Sequence, residues 1–168
     1  VLAYGLLGYP IFVDGLAVSS AARQNPRTAF QIQLLGLEAY AVSSVVTVGL
    51  KKLVARRRPY AVGCPPDGQG GGGSECDNES RFMSFPSGHT STAFTGASFI
   101  CAVHESLDLY GGGVADRAPC WVALGAATTT GIARIVSHNH YLTDVLAGAA
   151  IGAASGYLLP KILHFGFG

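Results

Sequence analysis

Charge is what this chain has least of. Only 12% of its 168 residues are Asp, Glu, Lys or Arg, while 49% are hydrophobic; soluble domains commonly carry about a quarter charged residues. A water-soluble globule of this length would have to cover its surface with few charges, a demand that a bilayer removes. Metal-site signatures are missing too, with no His-Glu-x-x-His and no Cys pair at finger spacing, which argues against a zinc enzyme. The chain opens at Val1 with neither an initiating Met nor a basic leading segment, so no cleavable signal peptide is expected. The length suits one domain spanning 1–168.

What is present is a set of long apolar intervals. The stretch 30–50 is interrupted only by Glu38, and 82–103 carries no formal charge apart from His89. Each has about the 20 residues that span a hydrocarbon core of ~30 Å. Residues 1–22 are broken only by Asp14, while 118–133 and 145–160 are uncharged but shorter, about 24 Å each as helices. The expected fold is therefore all-α, an integral membrane helical bundle with five helices visible; a soluble bundle of buried helices is the alternative.

Punctuation residues place those helices. The first covers 1–22, with Pro10 a candidate kink, and a polar turn follows at 23–27. The second runs from about Thr28 towards Arg57 and stops at Pro59. A loop over about 60–84 contains the run Gly70 to Gly73 and has little apolar matter of its own. Pro86 and Ser87 suit the opening of the third helix. The fourth is expected over about 118–137 and the fifth from Tyr141, with Gly148, Gly152 and Gly156 on one face. That stripe suits close helix packing in lipid and says nothing about chemistry.

Three short patterns carry chemistry: Lys51-x6-Arg58-Pro59, then Pro86-Ser87-Gly88-His89, then Arg134-x5-His140-x3-Asp144. His140 and Asp144 stand one helical turn apart, so their side chains can meet, and a carboxylate there can orient an imidazole and stabilise its cation. His140 then suits a nucleophile that attacks phosphorus. His89, at a helix N-terminus where exposed amides favour an anion, suits a proton donor and acceptor. Ser87 offers a hydroxyl and Gly88 a close backbone approach. Lys51, Arg58 and Arg134 are the candidate clamp for phosphoryl oxygens. Lys52, Arg56 and Arg57 compete for that description and are read as interfacial cations at a helix end. His138 is read as a structural or interfacial histidine. A ligand set of His89, His138, His140 and Asp144 is weighed and set aside, because the flanking cations oppose a divalent ion.

In this order and spacing, the three patterns resemble the type 2 phosphatidic acid phosphatase superfamily, over roughly 51–152. The resemblance singles out Lys51 and Arg58 within their basic cluster. It implies a metal-independent phosphatase of the membrane branch, acting on a lipid phosphate or diphosphate through a phosphohistidine, with no cofactor. Lipid substrate and membrane lipids are the implied partners, with no nucleic acid. Relatives such as vanadium haloperoxidases, or an idle lipid-phosphate binding or transport protein, are the alternatives. The chain departs in having Ala133 before Arg134, where the superfamily usually has Ser, so altered affinity or specificity is expected. Integral relatives usually have six helices against the five seen, which leaves room for one upstream.

The resemblance also sets topology. It places the motifs, and the loop at about 60–84, on the extracytoplasmic side, against the positive-inside rule that would keep the cluster of Lys51, Lys52, Arg56, Arg57 and Arg58 in the cytoplasm. Cys64 and Cys76 share the motif-bearing loop and form a disulfide if that side is oxidising, or two free thiols otherwise. Cys101 and Cys120 flank the next loop, across one helix, and are expected to be reduced.

Overall fold

Asn25 accepts the backbone N–H of Thr28, and Pro26 fills the first helical position, where its missing N–H costs nothing. From there helix α2 (Pro26–Val54) runs for 29 residues, about 43 Å of helix. It follows α1 (Leu2–Tyr9) and precedes α3 (Gly88–Ser106), α4 (Val114–Val136) and α5 (Leu142–Ala153). The computed structural model describes residues 2–10, 12–15, 25–64, 76 and 78–166. Wider π-type turns carry α1 on across 10 and 12–15, and carry α5 on through Ala154–Leu158 and Lys161–Phe165. The change of winding in α1 falls at Pro10, the expected kink. Among the described residues there is no strand. The Gly70 to Gly73 run, and Arg23 and Gln24 of the polar turn, lie outside the described residues.

Helix α3 is the hub, packing against α1, α2, α4 and α5. Its Ala93, Ala97 and Ile100 meet Ala3 and Leu6 of α1 and Ala123 and Ala127 of α4, while Phe99 and Val103 meet Ile32 of α2. A hydroxyl seam ties α2 to α3: Ser43 and Thr47 lie 2.8 and 2.9 Å from Ser91 Oγ, and Thr95 donates to Ser43 at 2.8 Å. The glycine stripe of α5 lies against the α3 backbone. A Cβ on Gly148 would stand 2.6 Å from the Ser87 carbonyl oxygen, and one on Gly152 2.5 Å from that of Ser91.

The outward faces are apolar: Leu37 and Val45 of α2, Trp121 and Val122 of α4, and Leu146 of α5 are all more than half exposed. In water such surfaces are a liability; in lipid they are what a bundle presents. The helical stretches Pro26–Ala61 and Leu142–Phe165 are long and apolar enough to cross a membrane. The architecture is the expected all-α membrane bundle.

Two boundaries move. Helix α2 stops at Val54 rather than near Arg57, because Ala55 takes a left-handed conformation (φ 45°, ψ 42°) and its N–H closes on the Lys51 carbonyl. Helix α4 begins at Val114 rather than near Ala118, with Pro119 inside it. Asp116 explains the early start. Its buried carboxylate accepts from the N–H groups of Tyr110 and Gly112 at 3.0 and 2.6 Å and pairs with His104 Nδ1 at 2.7 Å.

The early start of α4 also corrects the cysteine expectation. Cys101 and Cys120 are joined as a disulfide with Cα atoms 4.5 Å apart. Cys101 sits inside α3 and Cys120 in the second turn of α4, so helix packing, not the loop between them, brings them together. Cys64 and Cys76 are also joined, and with Ala61 and Tyr60 they give the loop a small core of its own.

Candidate functional site

Three separate stretches of chain meet at one end of the bundle. The strap after α2 is stitched to the 78–84 segment by Ser84 N–H donating to the Arg56 carbonyl at 2.9 Å and Arg58 N–H donating to that of Arg81 at 2.8 Å. Tyr60 N–H reaches the His138 carbonyl at 3.1 Å, which ties the strap to the turn after α4. That turn is tight: His138 has φ 53°, and the N–H groups of Asn139 and His140 both bond the Arg134 carbonyl at 3.2 Å. His138 therefore shapes the turn, with its side chain exposed. Helix α3 joins through Ser87 N–H, which donates to the Asp144 carbonyl at 2.9 Å.

The turn delivers His140 into a buried position, where Nδ1 donates to the Ser84 carbonyl at 2.7 Å. A carbonyl can only accept, so Nδ1 carries the proton and the Nε2 lone pair is left available. Burial first, then the positive charges of Arg58 and Lys51, holds the imidazole below its ordinary range, at about 4. Asp144 was expected to orient this ring directly. Its Oδ2 instead stands 3.7 Å from Nδ1, and the Ser84 carbonyl fixes the tautomer. The fully buried Asp144 carboxylate accepts from Ser84 Oγ at 2.5 Å, Tyr141 N–H at 2.9 Å and Arg56 Nη1 at 2.8 Å.

Lys51, Arg58, Gly88, His89 and His140 line one cavity of about 300 Å³, with Thr47, Ser43 and Ser91 along its wall and Ala3 and Tyr4 from α1. Lys51 Nζ donates to the Met83 carbonyl at 2.7 Å. Arg58 is braced by Nε to the Ser80 carbonyl at 2.9 Å and Nη1 to Asn139 Oδ1 at 3.2 Å. A Cβ on Gly88 would meet Lys51 Cε at 3.4 Å, so the bare backbone lets the lysine lie along the α3 N-terminus. Ser87, Arg134 and Asp144 do not line the cavity. Ser87 is buried and caps α3, its Oγ 2.8 Å from Thr90 Oγ1. The Arg134 Nε is buried with no hydrogen-bond partner among the described residues. Ala133 is exposed beside it. No three His, Cys, Asp or Glu side chains among the described residues gather as a metal-ligand set.

Two participants escape the sequence. Arg56, grouped there with the interfacial cations, pairs with Asp144 at 2.8 Å. Ser84 holds both His140 and Asp144, one through its carbonyl and the other through its hydroxyl. Nothing in the spacing marks either one, because both depend on the chain leaving the helix at Ala55.

Fold and site together define an all-helical membrane protein whose polar end gathers cations and two histidines around one cavity. The chain belongs to the PAP2 superfamily, whose family model matches residues 34–166. It is similar to lipid phosphate phosphatase 1 of Arabidopsis thaliana, 36% identical over 138 residues, covering 71% of this chain and 41% of that one. It is also similar to lipid A 1-phosphatase of Porphyromonas gingivalis, 44% identical over 77 residues, covering 45% and 15%. A third relative is a PA-phosphatase related-family protein of Dictyostelium discoideum, 29% identical over 133 residues, covering 76% and 47%. The chain spans less than half the length of each of these relatives. No solved structure gives a significant match.

Proposed function

We propose that this chain hydrolyses a lipid phosphate or diphosphate at the membrane surface, without a metal, through a phosphohistidine at His140. The observation that carries the reading is the His140 ring, with Nδ1–H held by the Ser84 carbonyl at 2.7 Å and the ring lining a cavity shared with Lys51, Arg58 and His89. Nε2 attacks phosphorus, the bond to the leaving oxygen breaks, and His89 gives that oxygen a proton. Water then attacks the phosphohistidine, His89 takes its proton, the P–N bond breaks and phosphate leaves. Lys51 and Arg58 hold the non-bridging oxygens as charge develops, with Arg134 adding positive charge from outside the cavity lining and the amides at Gly88 and the α3 N-terminus capped by Ser87 beside them. Asp144 backs the imidazolium. A site at the bundle's end can take a headgroup while acyl chains stay in lipid. The motif-bearing end faces the extracytoplasmic side of the cell membrane, a placing that rests on the family resemblance.

The test is phosphate release from a panel of lipid phosphates in detergent with chelator present, for wild type and His140→Ala. Release by wild type with a loss of about a thousandfold or more in the variant is the expected result. Silence across the panel from folded wild type, or substantial turnover by folded His140→Ala, overturns the reading.

A further inference from the structure

We propose that Arg56 is a positioning residue for the reaction, clamping Asp144 so that its carboxylate backs His140 without drawing the ring away from Ser84. The inference rests on His140 being the attacking residue. Arg56 is itself fixed from several directions: Nη1 donates to Asp144 Oδ1 at 2.8 Å and Thr143 Oγ1 at 2.7 Å, and the guanidinium lies 4.1 Å from the centre of the Tyr141 ring. It does not line the cavity, so it has no contact with a phosphate held there. Its partner Asp144 is fully buried. Without Arg56, Asp144 keeps Ser84 Oγ and Tyr141 N–H on Oδ2 but loses its cation on Oδ1, and His140 Nδ1–H, 3.7 Å from Oδ2 and now committed to Ser84, is a further donor within reach. A buried carboxylate that has lost its paired cation draws such a donor more strongly, and the ring would turn from its place in the cavity wall.

The charges around His140 make this measurable. Lys51 and Arg58 face it from the end of α2 and the strap, Asp144 from α5, and Arg134 and His89 complete the surroundings from α4 and α3. Among the described residues acting on His140, only Asp144 is negative, and Arg56 binds its other oxygen, offsetting part of its field. Removing that offset exposes His140 to the whole carboxylate, which favours the imidazolium and depletes the neutral nucleophile.

The experiment reads the His140 imidazole directly. Histidines carrying ¹⁵N are titrated by NMR in detergent, the His140 signal being identified by its loss in His140→Asn, and pH–rate profiles are recorded for wild type, Arg56→Gln and Arg56→Lys. In Arg56→Gln, the His140 titration and the acid limb of kcat are expected to move up by about one pH unit. Its kcat is expected to fall about 10- to 100-fold, with KM within about twofold of wild type. Arg56→Lys keeps the charge and is expected to hold the titration near its wild-type position and recover most of kcat. An unmoved titration in folded Arg56→Gln, or a shift in Arg56→Lys as large as in Arg56→Gln, overturns the proposal. If wild type turns over no lipid phosphate, the phosphatase reading fails while the titration still decides what Arg56 does to His140.

Discussion

At the scale of single residues, the site depends on where protons sit. His140 is held neutral down to about pH 4 by burial and by Arg58 and Lys51. On the proposed mechanism the neutral ring is the nucleophile, so turnover assignable to it should be lost only as pH falls through that value, and a pH–rate profile from 3 to 8 checks this. An acid limb near 6.5, the ordinary histidine value, would contradict it. Ala55 offers a second expectation. It is exposed with φ 45° and ψ 42°, a conformation that costs about 1 kcal/mol for a residue with a Cβ. Ala55→Gly should therefore raise the melting temperature by about 2–4 °C while leaving phosphate release unchanged. The same residue shows what sequence can and cannot convey. Lys51, Arg58, His89 and His140 were legible from motif spacing, and the structure gathers them around one cavity. Arg56 was not, since an alanine gives no signal that the chain will turn left-handed and swing the next side chain onto Asp144.

At the scale of helices, apolar intervals revealed that each element exists, and polar contacts set its ends. Asp116 looked like loop material by its charge, yet its carboxylate collects backbone N–H groups from the preceding turn and starts α4 early. His104 and Asp116 meet only when α3 and α4 fold together, a pairing that no local pattern encodes. The disulfide between Cys101 and Cys120 follows from that register. Alkylation of unreduced protein should label none of its four cysteines. Replacing Cys101 and Cys120 by serine should lower unfolding stability by about 3 kcal/mol on the chain-entropy model, read as a lower melting temperature. The glycine stripe was legible, and its geometry is severe. A methyl group at Gly152 meets the Ser91 carbonyl oxygen at 2.5 Å, whereas one at Gly125 meets nothing within 4 Å. Gly152→Ala should thus destabilise by about 1–3 kcal/mol, and Gly125→Ala should not destabilise at all, as thermal melts of the two side by side will show.

At the scale of the whole molecule, a bundle with apolar flanks presents one polar end at which cations outnumber carboxylates. Vanadate, with the charge and shape of phosphate in transfer, should inhibit by occupying the cavity beside Lys51 and Arg58, while chelators should leave activity intact. Inhibition curves for both reagents check the pair of expectations. Fold class was readable from composition, because a chain with 12% charged residues has few other ways to meet its solvent. How three distant stretches become one site was not readable, since backbone bonds such as that from Ser87 to Asp144 belong to no motif. That bond has a consequence for biosynthesis. When a ribosome has completed α3 it has already made Lys51, Arg58 and His89, yet His140 and Asp144 are still to come. On the proposed function, the newborn chain is therefore an inert scaffold, and any hydrolysis of surrounding lipid must wait until α5 docks.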